Sequence, residues 1–140
     1  MIKNIFGIAG TALNAQTIRL NTTASNLANA GTVSSSEEEA YRAKRPVFRA
    51  LMDQADLNAG ANHLGGVKVK EVTDSLDPVR KTHDPGNPDA DEEGYVYLSN
   101  VNEVQEMVEM VAASRSFQNN VEVVTTARQL MMRTLDITKA

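Results

Sequence analysis

The acidic stretch from Asp89 to Gly94 is the first place in this 140-residue chain where residue types and spacing suggest chemistry. Asp89, Asp91 and Glu93, followed by Gly94, follow the first half of a calcium loop. The twelfth position of such a loop falls on Asn100, which has no carboxylate to bind a cation in two-point fashion, so the stretch reads as a solvated turn. The two histidines, His63 and His83, lack a second ligand at helical spacing, and no serine beside them sits in a nucleophile turn. His83 adjoins Asp84, but adjacent residues in an extended segment point to opposite sides. The chain has no cysteine, which removes disulfides, thiolate metal sites and thiol catalysis together. Paired carboxylates in an apolar pocket and a glycine-rich phosphate cradle are also missing from the sequence. The expectation is therefore no catalytic residue, no metal site, no cofactor and no enzyme.

With no reaction to position, the elements themselves become the question. The length allows one domain with a modest core, and 41% hydrophobic residues exclude global disorder. Three Tyr, three Phe and no Trp suit apolar surface spread along helices rather than gathered in one compact core. A net charge of −4 without a long basic run argues against nucleic acid as a partner. The short basic group Arg42, Lys44, Arg45 and Arg49 reads as a solvated strand face. No apolar run approaches the roughly 20 residues of a membrane span. The opening MIKNIFGIAGTAL is broken by Gly7, Gly10 and Thr11, and a leucine series runs through it, so it does not read as a cleaved signal peptide.

Phe6, Ala9, Leu13, Gln16, Leu20, Thr23 and Leu27 step by three and four, the spacing of a heptad seam. They predict a helix of about 25 to 28 residues, with Gly31 as its left-handed stop. A second seam, Met107, Met110, Ser114, Phe117, Val121, Val124, Arg128, Met131 and Leu135, predicts a longer helix, introduced by Asn100 with Glu103 as its cap. Between them, RPVFRAL and GGVKVKEVT alternate as half-buried strands do, and DPVRKTH and GYVYL are two further strand candidates. SSSEEEA and DPGNPDADEEG read as loops.

The fold expected is mainly α with a small β insert. Residues 1–32 form an N-terminal axial helix, 33–99 a β-rich middle region with long loops, and 100–140 a C-terminal axial helix. The two helices form an antiparallel coiled-coil-like pair, either in the register in which Leu13 meets Val121 and Leu27 meets Met107 or in one shifted by a heptad. The methionine-bearing stripe is read as core rather than as a peptide groove. The first helix also carries Asn14, Asn21, Asn26 and Asn29 among small residues, a surface that lets further helices approach and hydrogen-bond.

Asn26-Leu27-Ala28-Asn29, ending a heptad helix, resembles the signature of bacterial flagellar axial proteins. DPGNPDADEEGYVYLSNVNEVQEMVEM and ASRSFQNNVEVVTTARQLMMRTLDI resemble the flagellar basal-body rod protein family, and its C-type proximal rod members in particular; YRAKRPVF resembles the strand after the first helix there. Phe117 stands where that family carries tyrosine. The resemblance covers nearly all of the chain apart from the loops around SSSEEEA and DQADLNAGANHL.

The resemblance implies a structural subunit. It would be exported through the flagellar type III apparatus without a cleaved signal. It would then pack by its terminal helices with copies of itself and other rod proteins into a hollow periplasmic shaft that transmits torque and passes exported subunits. Asn26, Leu27, Ala28 and Asn29 would lie at the subunit interface. A soluble adaptor or export-chaperone-like helical binding module is the alternative reading, and the β insert, which a simple adaptor hairpin would not need, argues against it.

Overall fold

A computed structural model of the protein describes residues 2–51 and 65–139; all of DQADLNAGANHL, with His63, lies outside the described residues. The N-terminal helix, α1, runs over Ile2–Ala28 and the C-terminal helix, α2, over Glu103–Lys139, with five strands between them. At 1.5 Å per residue the two helices are about 40 and 55 Å long. They are each other's main packing partner, and the chain is mainly helical with a β insert.

The insert contains two small antiparallel sheets. β2 (Lys44–Ala50) and β3 (Val67–Asp74) form a two-stranded ribbon that packs on α1. β1 (Val33–Ser34), β4 (Arg80–His83) and β5 (Tyr95–Leu98) form the second sheet in the order β1-β5-β4. Pro46 lacks an amide donor and is tolerated because a two-stranded ribbon leaves every strand an open edge. In the ribbon the register shifts between Val47 and Phe48. The DPGNPDADEEG turn joins β4 to β5 and closes on Gly94, whose φ is +80°. A Cβ there would stand 3.1 Å from Pro85 Cβ and 3.2 Å from His83 Nε2. The positive φ favours glycine, and a side chain there would also have to push Pro85 and His83 aside slightly.

Two expectations about helix ends need correction. Gly31 is not a left-handed stop, since Gly94 alone of the described residues has positive φ. Instead α1 unwinds through tighter turns, with Ala30 N–H donating to Leu27 O and the Thr32 hydroxyl to Asn29 O at 2.8 Å. Nor does Asn100 cap α2. Asn102 does so, its Oδ1 accepting from Gln105 N–H at 3.2 Å, while the Asn100 side chain ties Ala43, just before β2, to Asp77 between β3 and β4.

The helix pair is antiparallel, but its seam on α2 is rotated from the expected one. Flanked by half-buried Glu109, Ser114 and Ser116, the central inward series is Glu106, Met110, Ala113, Phe117, Asn120, Val124, Ala127 and Met131. This is a perfect alternation of four and three, sharing Met110, Phe117, Val124 and Met131 with the expected seam. The other expected series is displaced by one residue. Met107 is 54% exposed and Val121 42%, whereas Glu106 and Ala113 are fully buried. Asn26 of α1 accordingly reaches Glu106 and not Met107.

Close approach explains the rotation: the alanines at 113 and 127 let α1 lie against α2, and the larger Met107 and Val121 would hold it off. Leu135, 49% exposed, is displaced for another reason. With Asn26 beside Glu106, counting back along α1 to Ile2 reaches only about residue 130 of α2, so the last turns of α2 extend past the partner helix. On α1, Phe6, Leu13, Leu20 and Leu27 are half-buried, and Ala9, Ala15, Thr22, Thr23 and Asn26 are buried. The buried threonine hydroxyls donate to Ile18 O and Arg19 O at 2.8 Å each, so they enter the packed face without losing a partner. Gln16 Oε1 is buried with no donor among the described residues.

The seam can be tested by volume. Ala113→Leu overpacks the helix contact and is expected to destabilise the chain by about 1–3 kcal/mol. Val108→Ser, at a site 63% exposed, is expected to stay within about 0.5 kcal/mol. Urea unfolding of both variants followed by helical circular dichroism checks the pair; equal effects would refute the rotated seam.

Candidate functional site

Asn26 is the most completely used polar side chain at the junction of the three parts. It lies in the last turn of α1, on the side facing both α2 and the start of β2, and it is 0% exposed. Its Nδ2 donates to Lys44 O at 2.9 Å and to Glu106 Oε2 at 3.1 Å. Its Oδ1 accepts from Lys44 N–H at 2.8 Å and from the Tyr41 hydroxyl at 3.1 Å. Both amide protons and both lone pairs are thus engaged. Toward Lys44 the side chain behaves as one more peptide group, pairing with the first residue of β2 as a strand would.

Glu106 lies on the first turn of α2 and is also 0% exposed. Its Oε2 takes the Asn26 bond, and its Oε1 lies 2.7 Å from Arg45 Nη1 as an ionic contact. A carboxylate in the first turn is also favoured by the partial positive charge of the helix N-terminus. Arg45 was read as part of a solvated strand face. It instead points its guanidinium back to the helices, and only 39% of its side chain is exposed. A further ion contact, Arg19 with Glu109, links the two helices beside this network.

Around these groups the joint is closed by backbone bonds. Ser99 is buried and donates its hydroxyl to Ala30 O at 2.6 Å. Asn100 Oδ1 accepts from Ala43 N–H at 2.7 Å, and its Nδ2 donates to Asp77 O at 2.8 Å. Ala30, Ala43 and Val101 form the apolar cluster beneath them, with Tyr41 packed against it. The end of α1, the start of β2 and the start of α2 therefore meet in one place.

The four residues of the Asn26–Asn29 motif have different surroundings. Leu27 and Asn29 are half-buried, and Asn29 Nδ2 bonds back to Ser25 O at 2.8 Å. Ala28 is exposed. Asn26, expected at a subunit interface, is closed off within its own chain; its hydrogen-bonding capacity is spent before any neighbour arrives. Sequence reasoning missed Tyr41, Arg45, Ser99 and Glu106 as parts of this joint. For Glu106 a signal existed, since it stands four residues before Met110, on the same heptad face.

Of the other expected sites, the acidic turn is organised by its own backbone. Asp91 Oδ1 accepts from Glu93 N–H at 3.0 Å and from Tyr95 N–H at 2.8 Å. His83 packs edge-on to Tyr95, with ring centres 4.9 Å apart. The described residues hold no cluster of three or more potential metal ligands, and no helix among them is long and apolar enough to cross a membrane.

What the single chain leaves open is the outer side of α2. Val104, Val108 and Val111 form one exposed apolar row near its start, 71%, 63% and 52% accessible, and Leu130, Met132 and Ile137 stand exposed near its end. A 37-residue helix with apolar residues on both its covered and its outer side is built for more partners than one.

Comparison with known proteins agrees with this architecture. Residues 6–33 match the family described as "Flagella basal body rod protein", and residues 92–137 match "Flagellar basal body rod FlgEFG protein C-terminal". The "Flagellar basal-body rod protein FlgC" of Escherichia coli O6:H1 is 49% identical over 134 residues, 96% of each chain. The proteins of that name in Salmonella typhimurium and in Buchnera aphidicola subsp. Acyrthosiphon pisum are 48% and 42% identical, over 96% and 97% of each chain. The chain belongs to the flagellar basal-body rod protein family. The two matched stretches take in most of α1 and most of α2, so the family models rest on the helix pair.

The joint is testable by hydrogen-bond balance. Asn26→Leu strands the Lys44 amide, the Lys44 carbonyl and the Glu106 carboxylate, and is expected to destabilise the chain by at least about 2 kcal/mol, since a buried unsatisfied group costs about 1–3 kcal/mol. Arg45→Met leaves Glu106 buried without its cation, and the combined Arg45→Met, Glu106→Met variant should recover part of that loss. Urea midpoints of the single and double variants decide it; strict additivity would show that Arg45 and Glu106 do not interact.

Proposed function

We propose that the chain is a structural subunit of the flagellar basal-body rod, incorporated by packing its α1–α2 pair against the helices of neighbouring subunits. The observation that carries this reading is an antiparallel helix pair, in a chain of this family, whose longer member keeps a row of apolar residues uncovered. Packed side by side, such pairs form a hollow helical shaft that transmits torque and lets exported subunits pass through its lumen. The shaft crosses the periplasm, and the chain reaches it through the flagellar type III export apparatus without losing a signal peptide.

The subunit works without catalysis, metal or cofactor. In support, the polar side chains brought closest together are spent on holding the helices to the insert, with Asn26 fully hydrogen-bonded and Glu106 in ionic contact with Arg45. The small, amide-rich outer side of α1, with Asn14, Asn21 and Ala28 exposed, suits either a neighbouring helix or a wet channel wall. An adaptor that docks one partner helix is not favoured, because it has no use for an insert bolted to both helices.

Co-purification with detergent-resistant basal bodies is expected, and a pool confined to the cytoplasm would overturn the proposal. Leu27→Ala should weaken the seam by about 2–5 kcal/mol if the leucine is enclosed on assembly. Swimming and basal-body incorporation are expected to fall while synthesis is unchanged. Normal swimming at normal expression would place Leu27 outside the packing.

A further inference from the structure

The β2–β3 ribbon has a distribution of charge that the described residues of its own chain do not balance. Its strands carry five cations, Lys44, Arg45, Arg49, Lys68 and Lys70, against two carboxylates, Glu71 and Asp74. Arg45 is used by Glu106, and Lys70 lies 2.9 Å from its neighbour Glu71. Arg49 and Lys68 are direct cross-strand partners, both exposed, and neither makes an ion pair among the described residues. Like charges placed directly opposite on adjacent strands destabilise a ribbon. Lys70, the residue left without a cross-strand partner at the register shift, stands two residues from Lys68 and is also exposed. Val67 and Val69, half-buried, alternate with these lysines, and Val67 N–H donates to Thr11 of α1 at 3.2 Å. The half-buried valines thus mark the side of the ribbon that faces α1, and exposed Arg49 and Lys68 mark the side turned outward, while Arg45 reaches back to Glu106.

The opposite pattern holds at the tip of the other sheet. Residues 84–94 carry five carboxylates and no lysine or arginine. Asp89, Glu92 and Glu93 are exposed, with no ion-pair partner among the described residues. The nearby Lys81 is held above the ordinary lysine range, first by its hydrogen bond to Tyr97 and then by Asp91 and Glu93, which reports the local negative field. No strand of this sheet touches the ribbon among the described residues, so the two charged surfaces do not neutralise each other within one chain.

We propose that the Arg49–Lys68–Lys70 face of the ribbon docks on the Asp89–Glu93 hairpin tip of a second copy of this chain, making a directional copy-to-copy contact outside the helix shaft. Charge complementarity selects the partner: the chain exposes both halves of the match on separate surfaces. A contact between two different patches of one molecule is head-to-tail and repeats around a ring or helix rather than closing as a twofold dimer. Exposed charges give it orientation and partner choice more than strength, and it weakens with salt. The inference rests on the rod-subunit reading, which supplies the crowding of copies, while the helix faces supply the adhesion.

The test uses full-length chains in cells, where the lack of native cysteine gives a clean background. Two chains are co-expressed, one with Lys68→Cys and the other with Glu92→Cys, and basal bodies are isolated and oxidised. A disulfide-linked pair of chains is expected, and reversing the remaining charges with Arg49→Glu and Lys70→Glu in the first chain should lower its yield roughly tenfold. Adding Asp89→Lys and Glu93→Lys to the second chain should restore it. If both chains are present in basal bodies but no 68–92 link forms, or if Lys68→Cys links only to a different rod protein, the inference is overturned while the rod reading stands. If neither chain is found in basal bodies, the rod reading itself fails. Restoration by the compensating charges separates a contact from mere misfolding.

Discussion

A single buried amide constrains the rest of this structure. A side-chain amide taken from water without partners is costly, so an asparagine at 0% exposure must find all its hydrogen bonds locally. Asn26 finds them by joining its own helix to two other stretches of chain: the Lys44 backbone and Tyr41 hydroxyl at and just before the start of β2, and the Glu106 carboxylate on α2. Meeting those demands at once fixes where β2 leaves the helices, where α2 begins and how the two helices are rotated about each other. Because the network is satisfied only when all three pieces are in place, it favours one arrangement over looser ones that burial of alanines alone would also allow.

That role matters in a chain whose apolar core is thin. The buried hydrophobic residues are alanines and two valines, with no buried leucine or aromatic residue among the described ones. Small side chains let α1 and α2 approach closely, but they contribute little area per residue. The larger hydrophobics are half-buried in the seam or stand outside it on α2. In a protein that worked alone this would be a poor distribution; in a member of the rod family it matches a subunit whose remaining apolar surface is covered by its neighbours.

The two sheets follow from the same division. Each is too small to be stable alone, since an isolated hairpin is marginal in water. The ribbon gains its support from α1, and the three-stranded sheet gains its support through Ser99, Asn100 and the Ala30–Ala43–Val101 cluster. The charged outer surfaces are then free to serve contacts that the helices do not make.

Periodicity alone determined much of this protein. The two heptad runs place both helices to within a few residues, and the alternating stretches place β2, β3, β4 and β5, because these patterns reflect local burial demands that any packing must meet. The turn at DPGNPDADEEG was likewise legible, from residues that prefer tight loops. Tertiary structure decided what periodicity cannot distinguish. A heptad repeat leaves a one-residue rotation undetermined when polar and apolar residues stand side by side, as at Glu106 and Met107 or Asn120 and Val121. Hydrophobicity favours Met107 and Val121 for the seam. Hydrogen bonding and close approach favour Glu106 with Ala113, and they prevail, because the carboxylate meets Asn26 and Arg45 only after the chain has folded back on itself. The same holds for Asn26: its asparagine is visible in the sequence, but its three partner residues stand as far as 80 residues away.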